Sequence, residues 1–127
     1  MIETLKRVLR IENKLVSLLL PILWMGVIFY LSSIPNLQFS GSLAPFDYFF
    51  RTVAHIVEYA ILAFLWRRNL GKIETYTVAG LYAVFDEVHQ SFVLSRSGQV
   101  SDVTVDAVGI WIGQMLYQYV HKNRNNS

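Results

Sequence analysis

The chain has 127 residues, of which 54% are hydrophobic and 16% charged, which is too apolar for a typical soluble domain and short enough for a single one, 1–127. Its formal charge of +2 comes from bases that flank apolar runs and form no dense basic surface, so nucleic acid is not an expected partner. Without cysteine it has no disulfide and no thiolate metal site.

Four apolar segments follow one another, at about 15–33, 52–66, 75–93 and 103–120. The first, Leu15 to Ser33, carries no charge and is long enough to cross a hydrocarbon core of about 30 Å. A signal peptide fits less well, because the run is long and Leu31-Ser32-Ser33-Ile34-Pro35 lacks a small-x-small cleavage pattern. Pro21 is expected in the first turns of this span, where a lost backbone hydrogen bond is tolerable. The tail after about Lys122 reads as disordered.

The bases sort onto one side of these segments. Lys6, Arg7, Arg10 and Lys14 precede the first, Arg67, Arg68 and Lys72 separate the second from the third, and Lys122 and Arg124 follow the fourth. Only Arg51 and Arg96 fall in the other connections, beside most of the acids. The positive-inside rule then gives an all-α, four-helix transmembrane bundle with both termini cytoplasmic. The connections at 34–51 and 94–102 lie outside, and Phe46, Tyr48, Phe49 and Phe50 are expected against the interface as a lid.

The later segments carry residues that hydrocarbon penalises, by about 2.5–3.5 kcal/mol for a charged group at the bilayer centre. Arg51, His55 and Glu58 fall at helical spacing on one stripe of the second segment. The third holds Asp86, Glu87, His89 and Gln90, and the fourth holds Asp102 and Asp106, with Gly109 and Gly113 continuing their row. Because the segments alternate in direction, these groups reach similar depth below the outer face, at about 1.5 Å per residue. One outward-facing polar pocket is the economical reading.

The candidate catalytic residues are His55, Glu58, Asp86, Glu87, His89 and Asp106, and the candidate substrate-binding residues are Arg51, Gln90, Arg96 and Asp102. Carboxylate and imidazole at i, i+3, as in His55 with Glu58 and Asp86 with His89, suit one metal in a bundle core. His55, Glu58, Asp86, His89 and Asp106 are therefore the candidate ligands of a divalent cation. Arginine forks suit phosphate. Structural readings stand beside these: Asp102 as a helix-dipole partner, His55 with Glu58 as a buried pair, and the glycine row as a packing seam. Adjacent Asp86 and Glu87 are the hardest to explain without a ligand or partner.

Leu31-Ser32-Ser33 with Pro35, the His55-x-x-Glu58-Tyr59 pattern, and Asp86-Glu87-x-His89-Gln90-x-Phe92-x-x-x-Arg96 followed by Asp102-x-x-x-Asp106-x-x-Gly109 together resemble the VanZ-like family of small bacterial membrane proteins. The resemblance implies a four-helix, multi-pass protein of the cell envelope in a bacterial cytoplasmic membrane, and its namesake is associated with antibiotic resistance, to the glycopeptide teicoplanin. It brings no catalytic assignment with it. From the residues, the expectation is a metal-assisted membrane enzyme acting on a lipid head group or a lipid-linked cell-wall intermediate. The alternative is a non-catalytic lipid-, cation- or partner-binding membrane protein. Substrate, metal and oligomeric state are not legible.

Overall fold

Four helices appear in chain order: α1 (Ile2–Ser33), α2 (Asp47–Arg67), α3 (Lys72–Ser91) and α4 (Val100–Asn125). They are seen in a computed structural model that describes residues 1–33, 46–93 and 100–125, apart from the side chains at 10–12, 47–48, 100–101 and 123–125. Most of the connection expected at 34–51 therefore lies outside the described residues, as does the side chain of Tyr48 in the expected lid. Of its aromatics, Tyr48, Phe49 and Phe50 belong to α2 itself, and Phe49 and Phe50 are exposed.

Two boundaries differ from the sequence reading. The run of helix formers from Ile2 to Lys14 contains no glycine or proline, so α1 continues through the basic leader and reaches about 48 Å at 1.5 Å per residue. Pro21 consequently sits in the interior of α1 and not in its first turns. At the other end α4 runs to Asn125, into the expected tail, since nothing there breaks a helix and terminal cations favour its dipole.

Helix α4 packs most extensively against α2, and α3 touches both, while α1 lies against α2 and α3 and makes no pairing with α4 among the described residues. The glycine row makes the closest seam. A Cβ on Gly109 would fall 2.6 Å from the Ile56 carbonyl oxygen, and one on Gly113 would collide with Ala60 backbone, so only glycine permits this approach. Small residues continue it inside, with Ala60, Ala63, Ala79 and Ala83 buried.

Side-chain donors tie neighbouring helices through spare carbonyl lone pairs. Trp24 Nε1 donates to Glu58 O at 2.8 Å, Tyr82 Oη to Met25 O at 2.5 Å, and Gln114 Nε2 to Lys72 O at 2.9 Å. Asn69 Nδ2 donates to Ser17 O at 2.8 Å. Near the α2/α3 turn, the Arg67 guanidinium lies 4.9 Å from the Tyr117 ring centre, and Tyr117 stacks on His121.

The burial pattern is inverted. Asp86 is 1% exposed and Asp106 is fully buried, whereas Leu81 is 67% and Trp111 55% exposed. Exposed large apolar side chains occur on all four helices, among them Leu19, Val57, Val84 and Met115. By length and composition, two helical stretches are long and apolar enough to cross a membrane, Ile2–Ser33 and Phe49–Arg67. Helices α3 and α4 are not among them, because their acids and amides dilute the apolar runs.

Candidate functional site

The polar residues gather toward one end of the bundle, where α1 ends, α2 begins, α3 ends and α4 begins. Measured along the helices at 1.5 Å per residue, His55 lies about 12 Å in from the start of α2, Glu87 about 6 Å from the end of α3, and Asp106 about 9 Å in from the start of α4. Antiparallel neighbours thus bring them to one layer, as the alternating directions require.

Within that layer the groups divide into two clusters. In the first, His55 Nδ1 and Asp106 Oδ1 stand 2.8 Å apart, joining α2 to α4. One ligand atom from each of His55, Glu87 and Asp106 lies within 4.8 Å of the others. Asp106 Oδ2 is buried and has no hydrogen-bond partner among the described residues. Glu58 and Asp102, both half-buried, are near enough to act electrostatically on His55.

The second cluster joins α1, α2 and α3. Ser32 Oγ donates to Asp86 Oδ1 in a very short contact, and Tyr59 Oη donates to Asp86 Oδ2 at 3.1 Å. Gln90 Nε2 donates to Ser32 Oγ at 3.2 Å, so the hydroxyl relays between amide and carboxylate. His89 stands beside it, with Nε2 3.3 Å from Ser33 Oγ and its ring stacked on Phe29 at 4.2 Å between centres. Both oxygens of Asp86 are thereby met by hydroxyl donors, which is how a carboxylate is held in a low-dielectric interior.

The sequence-derived ligand set of His55, Glu58, Asp86, His89 and Asp106 does not converge as one group. Adjacent residues on a helix point about 100° apart, so Asp86 turns toward α1 while Glu87 turns toward His55 and Asp106. His89, one turn on from Asp86, also faces α1. The metal-competent group among the described residues is His55, Glu87 and Asp106, with Glu87 in place of Glu58, Asp86 and His89. Glu58 adjoins Tyr59, whose hydroxyl reaches Asp86. Arg51 lies half-buried one turn before His55, and Arg96 falls outside the described residues.

Ser32 and Tyr59, both buried, are the residues that spacing alone did not nominate. The available signal was their place in the Leu31-Ser32-Ser33 and His55-x-x-Glu58-Tyr59 patterns. A hydroxyl within an apolar run reads first as packing. Its value depends on a partner helix that the run does not specify.

No curated protein and no solved structure shows significant similarity to the chain. A family model described as VanZ/LLP1 matches residues 17–121, a span that reaches into all four helices and includes every member of both clusters. The chain belongs to the VanZ/LLP1 family.

Proposed function

We propose that this is an integral membrane protein of four spans, with both termini cytoplasmic and the polar layer near the outer face, that acts as an enzyme on a lipid head group or a lipid-linked cell-wall intermediate. The observation that carries the reading is the inverted burial: charged Asp86, Glu87 and Asp106 are inside, and valine and aromatic side chains are outside on every helix. An ionised carboxylate taken out of water costs several kcal/mol after relaxation. Three of them in a chain of this size are best explained by use. Arg51, and Arg96 beyond the described residues, would receive the phosphate of a head group near the interface, and the cluster of His55, Glu87 and Asp106 below would carry the chemistry.

Reconstitution tests this directly. Purified protein in liposomes containing a polyprenyl phosphate or an acidic phospholipid should change the head group, read by mass spectrometry, and Asp106→Asn should abolish the change at equal protein level. Unchanged lipid, with the protein folded and the lipid retained on it, would favour the second reading, a non-catalytic binder of lipid, cation or partner. Support for that second reading comes from Asp86, whose two oxygens are occupied by Ser32 and Tyr59. In cells, the same substitution should abolish any contribution to teicoplanin resistance or envelope integrity.

A further inference from the structure

We propose that His55, Glu87 and Asp106 form a binding site for one divalent transition-series cation, such as Zn²⁺ or Mn²⁺, in the interior between α2, α3 and α4. This deepens the reading above by supplying the reactive agent of the polar layer. It rests on that reading for the use of the ion and not for its binding.

Geometry is the first support. Three residues from three different helices each offer a ligand atom within 4.8 Å of the others. Metal bonds of about 2.0–2.2 Å to nitrogen and oxygen place ligands of one ion closer together than that limit, so small side-chain rotations suffice. The three backbone sites are already fixed. Gly109, one turn after Asp106, presses α4 against Ile56, the neighbour of His55, and this seam sets the distance between the two side chains.

An independent observation concerns Asp106 itself. Its side chain is fully buried, and although Oδ1 meets His55, Oδ2 finds no hydrogen-bond partner among the described residues. A buried carboxylate oxygen left in that state is costly. The contrast with Asp86 is informative, because that acid lies in the same layer and has a hydroxyl on each oxygen. The fold can complete the shell of a buried carboxylate, and at Asp106 it leaves one lone-pair side open beside an imidazole and a second acid.

The donor set narrows the choice of ion: one imidazole with two carboxylates suits zinc or manganese, while calcium prefers about six to eight oxygens and magnesium keeps its waters. A bound ion of this kind activates water or polarises a phosphoryl oxygen, which is the chemistry a head-group enzyme needs.

The test uses the full chain purified in detergent, stripped with a chelator and titrated with Zn²⁺ and, separately, Mn²⁺ by calorimetry and by metal analysis after desalting. The expected result is one ion per chain for one of the two metals, with a rise in thermal midpoint on binding. Glu87→Gln and Asp106→Asn should each weaken binding by more than the roughly 10–100-fold that loss of an outer-shell partner costs, and Glu74→Gln, exposed at the far end of α3, should bind as the parent does. If neither metal binds near one equivalent, or if Asp106→Asn and Glu87→Gln bind as tightly as the parent, the site does not exist. Should both variants fail to fold, the parent's midpoint decides, and no shift with either metal overturns the proposal. Ion binding without head-group turnover would leave the site standing and remove the enzyme; turnover that persists in excess chelator would do the opposite.

Discussion

Asn69 donates its side-chain amide to the carbonyl of Ser17 at 2.8 Å, the acceptor four residues before Pro21 that proline leaves without a helical donor. Proline has no N–H and frees that oxygen, and Pro21 is itself buried. The turn after α2 thus repairs α1 from outside. Asn69→Ala should lower stability by about 1 kcal/mol. In a Pro21→Ala background, where a backbone N–H returns to Ser17, the same change should cost much less. Thermal scans in detergent of the two single variants and the double variant measure the coupling, and an additive result would show that the two residues act separately.

The glycine seam predicts an asymmetric outcome of one chemical change. Gly109→Ala and Gly113→Ala should each destabilise by about 1–3 kcal/mol through overpacking against α2. Gly80→Ala, where nothing lies within 4 Å, should be neutral or stabilising by up to about 1 kcal/mol, because alanine is the better helix former. Comparable midpoints for all three would mean that α4 can move away from α2 at little cost.

Asp86 should depend on its hydroxyl partners. Tyr59→Phe and Ser32→Ala each leave one oxygen of a buried carboxylate without its donor, at about 1–3 kcal/mol. Their combination should be worse than either alone, and Asp86→Asn should lessen the penalty of Ser32→Ala, since the amide carries no charge to satisfy. Denaturation of the variants in one detergent decides this, and a Ser32→Ala penalty that is the same with and without Asp86→Asn would count against the network.

Much of this architecture was legible before any coordinates. The four apolar runs anticipated four helices, and Gly109 and Gly113 at a spacing of four anticipated a close seam. The division of the polar layer was not legible. Spacing says which residues of α3 share a face, but the rotation of α3 relative to its neighbours decides that Asp86 meets α1 while Glu87 meets α2 and α4. Ser32 and Tyr59 were hidden for a related reason: their value lies in a partner on another helix. The apolar run at 15–33 does not mark the start of α1, because a charged leader of good helix formers does not end a helix.

Span number is tested by charge on the outer surface. Leu81→Arg, on an exposed position midway along α3, should reduce the carbonate-resistant membrane fraction if α3 crosses the bilayer, at a cost of about 2.5–3.5 kcal/mol. Ile73→Arg, next to Lys72 at the helix start, should be tolerated. Reporter fusions should read cytoplasmic at the C-terminus and external near Gly98, and a cytoplasmic signal at Gly98 would remove the outward-facing site.

Function should follow charge and fork geometry. If the proposed enzyme activity holds, Glu58→Gln, Asp86→Asn and Asp106→Asn should each abolish head-group turnover at unchanged protein level, because the amides keep shape and lose charge. Arg96→Lys should also impair it if a bidentate phosphate contact is made there. Full activity in all three amide variants would leave the buried acids with a structural role alone.

The seam of Gly109 and Gly113 with Ile56 and Ala60 also orders events during synthesis. Its two halves belong to the second and fourth helices, and the whole of α3 is made between them. At a ribosomal pace of roughly 5–20 residues per second, α2 exists for some seconds before the surface it fits has been translated. Through that interval His55 has no Asp106 beside it, and the first cluster comes into being only when the last helix docks. A nascent chain stalled after α3 would hold Asp86 among Ser32, Tyr59 and Gln90 while the other half of the polar layer was still missing its carboxylate from α4.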